Sequence, residues 1–204
     1  MTTRLMIATA MMFATTLSAQ AAGDVAAGQA KAAACAGCHG ANGNSANAAF
    51  PSLAGQHADY IAKQLREYKA GVRVNAMMAG MVAPLTEEDM VNLGAYYASQ
   101  AKTALPLDGQ DAELIARGKR LYQAGDAAKG LAACAACHGH QGYGNPGAGY
   151  PALRSQHAAY TELTLKAFRD SSRANDAQAV MRQIAAKLSD EEIRALAAYT
   201  ATLH

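Results

Sequence analysis

Apolar and polar positions in this chain follow a helical period, and they do so twice. From Ala58 to Ala70, the residues Tyr60, Ile61, Leu65 and Tyr68 fall on one face of a 3.6-residue repeat, and Gly71 supplies a stop. The same period runs from about Ala158 to Arg169, with Leu163, Leu165 and Phe168. A later helix is expected in each half, opening at Thr86-Glu87-Glu88-Asp89 and at Ser189-Asp190-Glu191-Glu192. A hydroxyl three residues ahead of an acid is a capping box, and Glu suits it better than Asp, so the second is expected to be the stronger. Two earlier helices are expected, one from about Asp24 toward Cys35 and one from near Asp111, carrying Gly28 and Gly118. A helical Gly costs about 1 kcal/mol against Ala, so a close backbone crossing is expected at each. No stretch alternates for long enough to make a strand. The pattern predicts an all-α chain with about three main helices in each half.

The two halves match residue by residue. Phe50-Pro51-Ser52-Leu53 returns as Tyr150-Pro151-Ala152-Leu153, and Gln56-His57-Ala58-Asp59-Tyr60 as Gln156-His157-Ala158-Ala159-Tyr160. Arg73-Val74-Asn75 returns as Arg173-Ala174-Asn175, and Ala95-Tyr96 as Ala198-Tyr199. An internal repeat of this length predicts two tandem domains. Their seam is expected between Gln100 and Gln110, where Pro106 and Gly109 interrupt the helical pattern. That divides the chain into domains at 22–103 and 104–204, behind a leader at 1–21.

The leader reads as a secretory signal: Arg4 is basic, Leu5 to Leu17 is largely apolar, and Ala19-Gln20-Ala21 fits the small-residue cleavage pattern. The mature protein is expected to begin near Ala22, in the periplasm. With 18 Lys and Arg against 16 Asp and Glu, the charge balance points to no nucleic-acid partner. No Trp and only three Phe leave few aromatics for the core unless a bulky cofactor fills its centre.

The candidate cofactor follows from the cysteines. All four lie in two C-x-x-C-H motifs, Cys35-Ala36-Gly37-Cys38-His39 and Cys134-Ala135-Ala136-Cys137-His138. Each motif places two thiols one helical turn apart to add to the vinyl groups of a c-type haem, and then an imidazole to take the iron. Two covalent haems are therefore expected, with His39 and His138 as axial ligands.

The opposite axial positions need other donors. His57 and His157 each sit at a polar helix start and are read as near-surface side chains, and His140 lies too near His138 to reach the other face. Met77, Met78 and Met81 lie between the middle and last helices of the first half. The segment Met78 to Leu85 aligns without gaps on Met181 to Leu188, which pairs Met78 with Met181, Met81 with Ile184 and Met77 with Val180. If both domains ligate alike, the donors are Met78 and Met181. A thioether favours ferrous iron, raises the reduction potential and closes the metal to substrate. Such a site passes electrons and does not act as an enzyme.

With paired C-x-x-C-H motifs, a Met ahead of each last helix and this repeat, the mature chain closely resembles the cytochrome c4 family of dihaem class I cytochromes. The resemblance implies two small cytochrome c folds whose haems approach each other through their propionate edges. It implies electron transfer from a cytochrome bc1 complex or similar donor toward a terminal oxidase, with peripheral membrane association compatible. It also implies that Pro51 and Pro151 offer backbone carbonyls to the proximal imidazoles, that Leu53 and Leu153 pack on the porphyrins, and that Gly28 and Gly118 mark helix crossings against Tyr96 or Tyr97 and Tyr199. The second ligand loop is longer, with Asp176-Ala177-Gln178 added, so the two haems need not share a potential. Arg73 and Arg173 are candidates to reach haem propionates, but the default reading of each is a surface arginine.

Two other functions fit parts of the pattern. The cytochrome subunit of a flavocytochrome c sulfide dehydrogenase resembles this chain in duplication and motifs, although no flavin fingerprint occurs here. A dihaem peroxidase needs one haem that opens, against which the paired methionines argue.

Overall fold

The computed structural model describes residues 23–106 and 111–204. The expected leader at 1–21, and residues 107–110 of the expected seam, lie outside the described residues.

Helices supply the regular structure, and pairing between extended segments amounts to isolated bridges at Asp126–Leu131 and Asn145–Tyr150. In the first half, α1 (Val25–Ala32), α3 (Ala58–Lys69) and α5 (Glu87–Ser99) are the main helices. Two short ones lie between them, α2 (Ala36–His39) and α4 (Ala76–Val82). The second half repeats the order with α6 (Ala112–Ala124), α7 (Ala135–His138), α8 (Ala158–Arg169), α9 (Val180–Ala185) and α10 (Asp190–Thr202). The sequence pattern had indicated only the three main helices per half. The short ones are too brief to show a period, and they carry the haem motifs and the candidate methionines.

Each half is built on a crossing of its first and last helices. A Cβ added at Gly28 would lie 2.0 Å from the Asn92 carbonyl oxygen, and one at Gly118 would lie 1.9 Å from that of Ala195. Both distances are far inside van der Waals contact, so only a residue without a side chain allows the approach. The aromatic neighbours at the crossings are Tyr96 and Tyr199. The middle helix packs across the last one, α3 on α5 and α8 on α10.

Both predicted capping boxes are closed. Thr86 and Asp89 exchange hydrogen bonds with each other's backbone, as do Ser189 and Glu192, so the Asp version forms as fully as the Glu version. One predicted core position is corrected. Leu163 is 64% exposed, because α8 turns Phe168 inward and leaves that turn of the helix uncovered. No helix among the described residues is long and apolar enough to cross a membrane.

The halves meet along the repeated Gln-His elements. Gln56 accepts from the Ala152 N–H and donates to its carbonyl, both at 2.9 Å. Gln156 does the same to Ser52, at 3.0 and 2.9 Å. Each amide side chain thus caps the other domain's extended backbone in place of a strand partner. His157 is not a near-surface residue: it is buried, and its Nε2 lies 2.9 Å from the Ser45 carbonyl of the first half. His57 is half-buried at the same seam, with its Nε2 enclosed and unpartnered. The repeated motif is polar because its partner is the other domain's backbone.

Candidate haem-binding sites

In each half, a short helix presents the C-x-x-C-H motif over the crossing of the main helices. Cys35, Cys38, Cys134 and Cys137 form no disulfide with one another, and all are half-buried. Burial pushes the Cys35 thiol up, and it pushes Cys134 up to about 11.

The imidazoles are fixed from behind. His39 Nδ1 lies 2.8 Å from the Pro51 carbonyl oxygen, and His138 Nδ1 lies 2.9 Å from that of Pro151. A carbonyl only accepts, so Nδ1 carries the proton and Nε2 keeps its lone pair for a metal. Burial lowers both imidazole pKa values, partly offset by the proline carbonyls, and this favours the neutral ring. Phe50 and Tyr150 stand beside these rings, with centroids 6.3 and 6.1 Å away.

The side chains that flank each core are apolar and incompletely covered. In the first half Leu53, Leu65, Tyr68, Met78 and Cys35 pack, half-buried, against the core of Ile61, Val82 and Leu93. In the second, Leu153, Leu165, Ile184 and Cys134 pack likewise on Ile193 and Leu196. Such side chains, gathered around two thiols and a metal-ready imidazole, fit a flat apolar macrocycle held by thioether bonds. The residues present fit haem c.

The methionines differ in exposure. Met78 faces the core, whereas Met77 is 58% and Met81 43% exposed on the outer side of α4. Asn75 caps that helix through the Met78 N–H at 3.0 Å, which fixes the first turn where Met78 sits. Met181 is half-buried at the start of α9. There the added residues turn through left-handed backbone at Gln178 and Ala179, and Asp176 ties the loop to Arg182 through Nε at 2.7 Å. His140 is exposed.

The reading of Arg73 and Arg173 as surface side chains is corrected. Arg173 is buried and Arg73 half-buried, and both reach across the domain seam. The sequence signal for this was present in the repeat, since Arg-x-Asn recurs at the same offset in both halves.

These sites define a class first: a helical protein with two covalent c-type haems, one in each of two tandem domains. The family model described as cytochrome c matches residues 25–101 and again 115–204. Cytochrome c4 of Pseudomonas aeruginosa is 42% identical over 202 residues, covering 98% of this chain and 99% of its own. The crystal structure of reduced recombinant cytochrome c4 from Pseudomonas stutzeri superposes with a TM-score of 0.86 at 42% identity, over 90% of this chain and all of that one. A thiosulfate dehydrogenase electron acceptor of Thiomonas intermedia is 38% identical over 154 residues, 76% of this chain and 70% of its own. The chain belongs to the cytochrome c4 family, and it is a dihaem electron-transfer protein.

Proposed function

We propose that this protein carries single electrons between respiratory complexes in the periplasm, each haem iron being held between a histidine and a methionine. His39 and Met78 serve the first haem, and His138 and Met181 the second. Cys35 and Cys38, and Cys134 and Cys137, anchor the two macrocycles, Leu53 and Leu153 cover them, and domains at 22–103 and 104–204 follow a leader cleaved near Ala21. The donor is a cytochrome bc1 complex or a similar quinol oxidiser, and the acceptor a terminal oxidase.

The observation that carries this reading is the pair of imidazoles whose Nδ1 is committed to a proline carbonyl, together with Met78 packing inward against the core of its own half. Bound haem c supplies one-electron redox chemistry. The proline carbonyls of Pro51 and Pro151 orient the rings and increase their basicity toward iron. Met78 and Met181 close the remaining face with a soft neutral donor, which raises the potential and denies the metal to substrate.

A redox titration followed at the Soret band and at the weak near-infrared band of Met ligation tests it. Two one-electron steps and a band worth two Met-ligated haems are expected. A high-spin ferric haem or peroxide turnover would overturn the ligation. A second reading is an electron-accepting partner within a dehydrogenase complex, favoured by the identity to the thiosulfate dehydrogenase electron acceptor. Its mark would be a dehydrogenase, a flavoprotein or one acting on thiosulfate, that copurifies stably and reduces the haems only with its own substrate.

A further inference from the structure

The two candidate methionines are held differently, and the difference starts in the backbone. Met78 is the third residue of α4, and its own N–H donates to the Asn75 side chain at 3.0 Å. Met181 is the second residue of α9, and the corresponding bond falls one position later, from the Arg182 N–H to Asp176 at 2.9 Å. One residue is about 100° of helix. The inward place differs too. On α4, Met78 packs on the core and Met81 is 43% exposed. On α9, the half-buried side chain packed on the core is Ile184, the equivalent of Met81.

The longer second loop also carries strain. Gln178 (φ 53°, ψ 22°) and Ala179 (φ 58°, ψ 25°) are consecutive residues in the left-handed region. Among the described residues, the other non-glycine positions with such backbone are Ser155 and Ser171, so none lies in the first half. Left-handed backbone drives Cβ against the following carbonyl oxygen, and it persists only where the surroundings enforce it. Asp176 supplies the enforcement. It binds both the backbone N–H and the Nε of Arg182, at 2.9 and 2.7 Å, and so ties the loop onto α9. Ahead of α4, Asn75 is extended, with φ −163°.

We propose that the second haem has an exchangeable sixth position, at which Met181 gives way to a diatomic gas of the carbon monoxide class, while Met78 holds its own iron. The inference rests on the histidine and methionine ligation proposed above. Release of Met181 lets Gln178 and Ala179 leave the left-handed region, so loop strain favours the open form. Release of Met78 brings no such gain. In the exchange, the thioether sulfur withdraws its electron pair from ferrous iron and the incoming ligand supplies another, with no proton or electron transferred. Leu153, Leu165 and Ile184 make this half apolar, which favours an uncharged ligand over an anion. Without such a ligand, Met181 keeps the iron closed.

The test is a carbon monoxide titration of the intact, reduced two-haem protein, followed at the Soret band. One of the two haems is expected to convert while the other stays methionine-bound. Ala179→Gly and Gln178→Gly each relieve one left-handed residue. Each is expected to weaken carbon monoxide binding about fivefold, and the pair together about twentyfold. Ala179→Asn, which also accepts left-handed backbone, is expected to weaken it about twofold, and it carries the comparison if the glycine variants lose haem. Conversion of neither haem, or of both alike, would overturn the proposal, as would half conversion that these substitutions leave unchanged. The near-infrared band of the ferric, gas-free protein separates the exchange from the ligation. With a band worth two methionine ligands, a failed gas titration refutes the exchange and leaves the carrier reading intact. A band worth fewer refutes the ligation, and the exchange with it.

Discussion

Behind each haem motif the two domains fill the same volume from opposite sides. In the second domain Tyr122, one helical turn past the crossing glycine of α6, is fully buried, and its hydroxyl donates to the Gly139 carbonyl at 2.7 Å. At the equivalent position in the first domain stands Ala32. There the ring comes from the last helix instead: Tyr97 on α5 is 2% exposed, and its equivalent on α10 is Thr200. Each ring leans on the tyrosine both domains keep, Tyr97 on Tyr96 at 5.1 Å and Tyr122 on Tyr199 at 5.3 Å between centroids. The crossing glycines are retained in both halves, while the donor of the large side chain is not. The fold thus dictates a volume to be filled and a backbone approach to be kept, and it leaves the source of the filling open.

This comparison is most directly broken by emptying the volume. Tyr122→Ala is expected to destabilise the haem-loaded second domain by about 3–5 kcal/mol, the range for deleting a buried aromatic ring, and Tyr97→Ala to do the same to the first. Chemical denaturation of the holoprotein reads both. The sharper form converts one solution into the other. Adding Ala32→Tyr to a Tyr97→Thr background should recover most of the lost stability, and a double variant no better than Tyr97→Thr alone would show that the volumes are not equivalent. The crossing is expected to be less forgiving per atom. Gly28→Ala and Gly118→Ala each drive a Cβ into a backbone carbonyl, for about 3 kcal/mol. The capping boxes come next: Thr86→Ala and Ser189→Ala should each lower stability by about 1 kcal/mol, equally in the two domains if both boxes are closed.

The main helices, the crossings and the haem motifs were legible because each carries a local signal: a period, a cap, a glycine that only a close approach explains, or four cysteines in two identical spacings. The repeat singled out Met78 from Met77 and Met81, and of the three it is Met78 that packs against the core. What the sequence hid was everything whose partner lies in the other domain. Gln156, His157 and Arg173 look like surface residues in isolation, since polar side chains at a helix start or in a loop are ordinarily solvated. They are buried because the partners of their hydrogen bonds lie about a hundred residues away in the chain. The swap of Tyr97 for Tyr122 was hidden for a related reason, since an alignment scores Ala32 against Tyr122 and Thr200 against Tyr97 as two unrelated mismatches.

The smallest difference between the domains is electrostatic and follows from the caps. Glu192 is held below the usual carboxylate range first by Lys129, at 2.5 Å, and then by the Ser189 N–H. Asp89, its counterpart, is lowered first by the Thr86 N–H and then by Lys31. A carboxyl whose folded pKa is depressed contributes stability that is fully present above its unfolded value and is lost as pH falls through the folded one. Both domains should therefore weaken below the ordinary carboxylate pKa. The second should weaken more, because the Glu192 side chain is only 5% exposed against 18% for Asp89, so neutralising it leaves Lys129 facing a covered and uncharged site. The exposed lysine keeps the difference below that of a lost cap. Glu192→Gln separates the two contributions, since Gln still accepts from the Ser189 N–H but carries no charge. Amide exchange in α10 of that variant should be close to wild type under acid and only modestly faster at neutral pH, with its dependence on pH flattened. An α10 that still opens steeply under acid in Glu192→Gln would place the sensitive charge elsewhere.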